Sequence, residues 1–506
     1  MKKTALFSLH VLDRVDEFAR ALHELGWEII ASRETVEILS KNNIPVIDIA
    51  DFTGIKEHYG FPPTLHPKIE SYLTGSKDNR IDLVYVIPYP LSVGNDVGGR
   101  TLLALAAKGS RIPVMSISDM ELVVADLKTK GNISPDLHRH LLEKTNALIA
   151  CHYADLLKDK KSYDCICGTF QSDLLNGENP YQVPAELFKI KSDDALSLPE
   201  FKQISGDKPC FTNLADADSI LQTMCLASGA FTLKYNKTPF ICIAAKHGNA
   251  CGMGISWGNK LEAIHRALWG NPRSIWGGEV IVNFQIDEPA ATSLYKSQQR
   301  KDSLGEAAWM LDIILAPAIT PEAVKILGHR QGRKLLENNA LKEPFVPTSK
   351  YAYRFLRCGF LRQPPLNFIL DFKETDLVGN SLDNSAVDSL IIAWSTAWSS
   401  SYGGNEIALV KDAQLLSVGG GSSTVEAALV AIMKAKHCGH DLSGANFAAD
   451  AFFPFTDAPE VLCEAGIKTG LVPKGGKNFS LVEDFFKTKN VSMVYLDEKY
   501  RGFCRH

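Results

Sequence analysis

The chain has 506 residues, 45% hydrophobic and 22% charged, enough to bury several cores and incompatible with general disorder. Lysine and arginine total 54 against 58 aspartates and glutamates, a formal net charge of -4. That balance excludes a surface built to coat nucleic acid but leaves room for a local cradle around a small anion.

At roughly 100–200 residues per domain the length predicts about three or four domain-sized units. The eleven cysteines are scattered, odd in number and without a CxxC pair, so neither a disulfide framework nor a structural zinc site is expected. The basic-then-apolar start, Met1–Ser8, is too short for a secretion signal, and no apolar stretch reaches the ~18 residues of a membrane span. The expectation is a cytoplasmic protein with no membrane or nucleic-acid partner.

In chain order, Thr4–Ser8 reads as a short apolar strand. Val15–Leu25 carries Val15, Phe18, Ala19, Leu22 and Leu25 at helical spacing and stops at Gly26. Trp27–Ala31 is a second strand and Thr35–Asn42 a second helix; Val46–Ile49 and Asp82–Ile87 are further strands, and Leu102–Ala107 is helical. This β-α alternation predicts a parallel sheet covered by helices, with ligands at the carboxyl ends of its strands, in the loops after Ile30 and Ile87. A polar, turn-rich stretch, Asp173–Gln182, marks a domain boundary. Beyond it the strand Pro239–Ala245 leads into Lys246-His247-Gly248-Asn249-Ala250-Cys251-Gly252. A Pro-rich connector, Arg362–Leu366, precedes a last region with a helix (Ser385–Ser399), a strand (Glu406–Lys411), a Gly-rich turn and a helix (Thr424–Lys436). The final third reads as a faint echo of the middle third.

Four segments carry candidate chemistry. In Lys246-His247 an imidazole can exchange a proton near neutral pH while the adjacent ammonium stabilises developing negative charge. Taken alone, the pair also reads as ordinary surface. Phe452-Phe453-Pro454-Phe455-Thr456-Asp457 reads either as core or as an aromatic wall with one carboxylate, suited to a flat heterocycle. Gly419–Thr424 reads as a plain turn or as an anion site at a helix start. Asn176–Gln182 reads as a turn.

Together and in this order, these segments resemble the AICAR transformylase/IMP cyclohydrolase family over nearly the whole chain. Glu17–Gly26 is similar to the family's first helix. Thr64-Leu65-His66-Pro67-Lys68-Ile69 and Asp96-Val97-Gly98-Gly99 with Lys108 are similar to its cyclohydrolase region. Gly177-Glu178-Asn179-Pro180, Lys246-His247-x-Asn249-x-Cys251-Gly252, Ser274–Gly278, Asp450–Asp457 and the tail with Phe503 and His506 are similar to its transformylase region. The resemblance implies an α/β fold: an N-terminal methylglyoxal-synthase-like parallel-sheet domain (1–165), then two cytidine-deaminase-like subdomains (166–345 and 346–506), in a homodimer without catalytic zinc. It implies transfer of a formyl group from 10-formyltetrahydrofolate to the amine of AICAR or a similar flat heterocycle. Lys246, His247 and Asn405 would be catalytic. Asn213, Asn179, Gly277, Phe503 and Arg501 would contact the acceptor, and Phe452, Phe455 and Asp457 the folate.

The departures from the pattern are specific. The Ser-Thr-Gly-Gly-Thr phosphate cradle reads Ala31-Ser32-Arg33-Glu34-Thr35, placing a carboxylate where a phosphate would sit. The lysine before Thr-Leu-His-Pro is Pro63, and Asp96, Lys108 and Tyr89 are a remnant. Loss of cyclohydrolase activity is therefore expected, the domain serving as a scaffold. In the transformylase region, Leu175 and Thr424 stand at the two phosphate-binding arginines, and Gly403-Gly404 replace the residues before Asn405. An acceptor lacking phosphate, or one held through the Gly419–Ser423 turn, competes with AICAR. A noncatalytic folate- or nucleotide-binding paralogue is the alternative of a different class. A deaminase-like hydrolase lacks its His-x-Glu and Pro-Cys-x-x-Cys signature here.

Overall fold

The structure, a computed structural model, describes residues 2–55, 63–75, 80–158 and 160–502. It divides into two compact units, Met1–Thr169 and Phe170–His506.

In the first unit, short apolar runs become the strands of a five-stranded parallel sheet in the order Ile47–Asp48, Glu28–Ala31, Thr4–Leu9, Leu83–Ile87, Ile112–Val114. The central strand Thr4–Leu9 is buried or half-buried along its whole length, because helices cover both sides of such a sheet. The helix Val15–Glu24 buries Val15, Phe18, Ala19, Ala21 and Leu22 in this core, as its spacing predicts. The strand expected over Val46–Ile49 is only two residues long, since the Asp48 side chain accepts the Ala50 N–H and starts a helix, Ile49–Thr53.

One cysteine expectation is corrected. A disulfide joins Cys151, in the helix Pro135–Leu157, to Cys167. The chain turns back along this helix, bringing the two Cα atoms to 5.4 Å. A cysteine count cannot register such a return.

The second unit is built on a twelve-stranded sheet made of two copies of one topology. In each copy a long helix (Phe211–Tyr235; Asn384–Ser399) leads into a seven-residue strand (Phe240–Lys246; Asn405–Lys411). A two-residue turn follows, with both φ angles positive: His247 53° and Gly248 68° in one, Asp412 50° and Ala413 60° in the other. An eight-residue antiparallel strand completes each hairpin (Asn249–Ser256; Gln414–Gly421). These are primed turns, whose twist matches the flanking strands. Four more strands extend each copy outward, the first and the last pairing antiparallel and the middle two parallel. The echo extends to side chains. Asn283 Oδ1 accepts the Ile241 N–H at 2.7 Å, and Asp450 Oδ1 accepts the Glu406 N–H at 2.9 Å. The faint likeness of the final and middle thirds is thus a structural duplication. The copies join where Gly254 pairs with Gln414, and the two long helices share one apolar core, with Thr223 Oγ1 2.6 Å from Ser399 Oγ.

The Gly-rich turn is also corrected. Gly419, Gly420 and Gly421 lie within the strand Gln414–Gly421, not in a turn. Glycine is required because the helix Thr424–His437 packs directly on that strand: a Cβ on Gly419 would lie 2.2 Å from the Ala427 carbonyl oxygen. The helix start is already satisfied by Ser423 and Glu426, which cap it reciprocally. Among the described residues no helix is long and apolar enough to cross a membrane.

The packing role predicts that Gly419→Ala destabilises the second unit by about 1–3 kcal/mol, the range for overpacking a tight contact. Urea unfolding measures the loss, and added phosphate should not recover it. Wild-type stability in the variant would contradict the packing account.

Candidate active site

Strand directions bring most of the sequence-predicted residues to one end of the twelve-stranded sheet. The strand Phe240–Lys246 ends there and the strand Asn405–Lys411 begins there, because three antiparallel steps separate them. The strand Gly278–Val282, antiparallel to the first, also begins there, and Asn446–Ala449, antiparallel to the second, ends there. Gly277, the loop Asp450–Asp457 and the start of the helix Phe211–Tyr235 with Asn213 therefore meet at the same edge.

The contacts are specific. Lys246 is half-buried and donates Nζ–H to the Gly277 carbonyl oxygen at 2.6 Å. Gly277 has φ 66°, a left-handed backbone conformation that favours glycine, and a Cβ there would stand 3.0 Å from Nζ. His247, at the first turn position, is exposed to solvent. The Asn249 side chain bridges the two copies: its Nδ2 donates to the His247 carbonyl oxygen at 3.1 Å, and its Oδ1 accepts the Ser401 N–H at 2.8 Å. Asn405, four residues beyond Ser401, is half-buried and donates Nδ2–H to the Gly421 carbonyl oxygen at 3.1 Å.

In the segment expected to contact folate, Phe453 is core, Phe452 is half-buried against Gly475 and Gly476, and Phe455 is exposed. Asp457 is exposed at the first position of the helix Asp457–Glu464. The Arg501 guanidinium lies 5.6 Å from the Phe452 ring centroid, and the Gly502 N–H donates to the Asp450 carbonyl oxygen at 2.8 Å, holding the tail beside this loop. Phe503 and His506 lie outside the described residues. Asn213 is buried, and its Oδ1 is committed to the Cys210 N–H at 3.2 Å. Asn179 is exposed and bonded to Gln182, in a turn held beside the start of the same helix by the Phe211 N–H on the Asn176 carbonyl oxygen.

Two carboxylic acids missed by the sequence reading lie at this end. Glu279 is 2% exposed. Burial first, then the nearby Asp216 and Asp312 carboxylates, pushes it up to about 9 against the pull of the Lys246 ammonium, so it is protonated at neutral pH. Glu406 is equally buried; its Oε1 accepts the N–H groups of Tyr402, Gly403 and Gly404 at 2.6, 2.8 and 3.3 Å. Burial raises its pKa while these three donors pull it back. Beside it, burial pushes Asp450 up to about 8. An acid standing in an otherwise apolar strand run is the signal that could have found Glu279 and Glu406.

Residues 107–434 match the family described as AICARFT/IMPCHase bienzyme, and residues 14–115 match the MGS-like domain. The chain belongs to the AICARFT/IMPCHase bienzyme family. It is similar to the bifunctional purine biosynthesis protein PurH of Bacillus cytotoxicus, at 30% identity over 94% of this chain and 94% of that protein. PurH of Neisseria meningitidis serogroup A is 27% identical over 97% of this chain and 98% of its own length. PurH of Caldicellulosiruptor saccharolyticus is 28% identical over 98% of each.

The MGS-like unit keeps a cavity of about 730 Å³ at the carboxyl ends of its strands, reached by Ser8, Ser32, Glu34, Ile87 and Tyr89. Arg33 and three carboxylates, Glu34, Asp48 and Asp96, are among the residues that line it. Asp96 is already committed, accepting the Gly99 N–H at 2.7 Å. Lys68 is held by the Phe52 carbonyl oxygen and ring. Lys108 does not join the cavity: it ends the helix Val97–Lys108, whose start lines it, about 16 Å away at 1.5 Å per residue.

Linkage gives the pH dependence of stability. Glu279 and Asp450 have folded pKa values of about 9 and about 8, above the ordinary 4.5 and 3.8. Each therefore stabilises the fold at low pH and loses that contribution as pH rises through this window. The charged and titratable groups around Glu279 are Asp216, Lys246, Asp312 and Cys251. Glu279→Gln should flatten the fall in unfolding free energy between about pH 5.5 and 7.5 by about 1.4 kcal/mol per pH unit. An unchanged slope in urea titrations would show that Glu279 is ionised in the folded protein.

Proposed function

We propose that the protein transfers a formyl group from 10-formyltetrahydrofolate to the amine of a flat heterocyclic acceptor, and that its cyclohydrolase activity has been lost. The observation carrying this reading is the meeting of Lys246-His247, Asn405 and the Phe452–Asp457 loop at one sheet end, where Asn249 ties the His247 turn to the loop before Asn405.

The chemistry needs a base, an oxyanion site and a platform. The acceptor nitrogen bonds to the formyl carbon as the bond from that carbon to the folate nitrogen breaks. The exposed His247 imidazole takes the proton released by the acceptor amine and returns one to the departing folate nitrogen. Lys246 spends one of its three N–H donors on Gly277, leaving two for the developing oxyanion, and the Asn405 amide assists. Phe452 and Phe455 offer apolar faces to the pterin ring, and Asp457 accepts its ring N–H groups. A second copy of the chain, in the homodimer the resemblance implies, covers this open edge.

Recognition of the acceptor's phosphate is weakened. Leu175 is 61% exposed and carries no charge, and Glu426 occupies the helix start next to Thr424. Each missing charge-assisted contact costs about 1.5–3 kcal/mol of phosphate recognition. A non-phosphorylated acceptor is therefore the favoured variant of this reading. In the MGS-like unit, Glu34 in the first turn of the helix Arg33–Lys41 opposes an anion at the cavity where the cyclohydrolase substrate would bind.

With 10-formyltetrahydrofolate as donor, kcat/KM for AICAR and for its riboside should agree within about tenfold. A preference for AICAR far beyond that restores the nucleotide as the acceptor. His247→Ala should lower formyl transfer by about 10²–10⁴-fold without changing the unfolding midpoint, since the side chain is exposed. Transfer at the wild-type rate in that variant removes His247 as the base.

A further inference from the structure

The internal duplication supplies its own control for each position of the second unit. Ile241 and Glu406 are the second residues of equivalent strands. Each exchanges the same pair of hydrogen bonds, its N–H to the Oδ1 of Asn283 or Asp450 and its carbonyl oxygen from the N–H of that same residue. Both side chains are buried, Ile241 fully and Glu406 at 2% exposure. One copy thus fills the position with hydrocarbon and the other with a carboxyl group, whose burial is costly. The strand does not require the acid, because the first copy forms without one.

The acid acts on the loop before it. Glu406 Oε1 gathers the N–H groups of Tyr402, Gly403 and Gly404, three consecutive residues of a loop that begins at Ser401 and ends at Asn405. Ser401 is fixed to Asn249, and Asn405 to the Gly421 carbonyl oxygen, so both ends of the loop are anchored at the proposed site. The strand alongside accommodates the carboxyl group: a Cβ on Gly420 would stand 2.7 and 2.8 Å from its two oxygens. The Tyr402 ring is braced from outside by the Lys434 ammonium, 4.0 Å from its centroid, and Lys434 in turn donates to the Val418 carbonyl oxygen at 2.8 Å. Positions 403 and 404 are glycines, so at these two residues the backbone is all that can be anchored, and Glu406 accepts both N–H groups.

We propose that Glu406 is the positioning residue for Asn405, holding the loop that presents this amide beside the Lys246-His247 turn. The inference rests on the formyltransferase reading for what Asn405 does, but the ordering of the loop is measurable without it.

The experiment compares Glu406→Ile, the residue of the other copy, and Glu406→Gln with the full-length wild-type protein. Glu406→Ile should fold with an unfolding midpoint at or above wild type. Amide hydrogen exchange at Tyr402, Gly403 and Gly404 should speed up by about tenfold or more as their acceptor is lost. In formyl transfer, kcat should fall by about 10–100-fold with the KM for 10-formyltetrahydrofolate within about twofold of wild type. Glu406→Gln keeps a carbonyl oxygen for the same donors and should recover most of kcat and slow the exchange again. In an Asn405→Ala background, Glu406→Ile should cost nothing further. Undiminished kcat together with unchanged exchange in Glu406→Ile overturns the proposal, as does equal loss in the Gln and Ile variants. A wild-type protein that transfers no formyl group sinks the formyltransferase reading instead, and the exchange rates then decide alone whether Glu406 orders the loop.

Discussion

The pairing of the two hairpins across the middle of the large sheet is the constraint on which the second unit depends. Gly254 faces Gln414 in an antiparallel register, and the Ile255 N–H donates to the Ala413 carbonyl oxygen at 3.2 Å. Each antiparallel step reverses strand direction, and three such steps lie between Lys246 and Asn405. The end of one strand must then coincide with the start of the other. A parallel seam would leave Lys246 and Asn405 at opposite ends of the sheet, roughly 20 Å apart for strands of this length. The Asn249 bridge from His247 to Ser401 exists because the seam first brings these loops together.

The same end holds a cluster of buried acids and one left-handed residue of the turn. Glu279, Glu406 and Asp450 are all buried there, and His247 holds a left-handed backbone conformation. A residue without a β-branch tolerates that conformation in a primed turn at modest cost. Buried acids are harder to explain by stability alone, because apolar residues of similar volume serve equally well or better. The duplication makes the comparison inside one molecule, since Ile241 does the structural work of Glu406. Concentration of such exceptions at one edge is what a site imposes on a fold that otherwise obeys its packing rules.

Much of this was legible in the sequence, and the failures share a cause. Strands and helices with a continuous or periodic apolar pattern, such as Thr4–Leu9 and Val15–Glu24, follow from local burial alone. The order of motifs along the chain led to a family that the matches over 107–434 and 14–115 establish. Gly419–Gly421 misled because glycine signals a turn locally but here answers a tertiary demand, the close approach of the helix Thr424–His437. The Cys151–Cys167 pair, the buried state of Glu279 and the loop contacts of Glu406 likewise depend on what the fold brings alongside, which no window of neighbouring residues contains.

The two helix starts at which the proposed function expects weakened phosphate binding have one physical form: each carries a glutamate. In the MGS-like unit, Glu34 stands in the first turn of a helix that opens on the cavity. In the second unit, Glu426 closes the start of the helix Thr424–His437, accepting the Ser423 N–H at 3.1 Å and the Ser422 hydroxyl at 2.7 Å. A helix start attracts negative charge whether a ligand or the chain supplies it. In the second unit the capping box satisfies first-turn N–H groups within the protein, and at both helix starts an incoming phosphate meets the repulsion of a carboxylate. Each helix is thereby stabilised on its own, independent of ligand. Under the proposed function, the groups left at the large sheet's edge, Lys246, His247, Asn405 and the Phe452–Asp457 loop, would address a flat ring and a reacting carbonyl, chemistry that does not itself call for a phosphate on the acceptor.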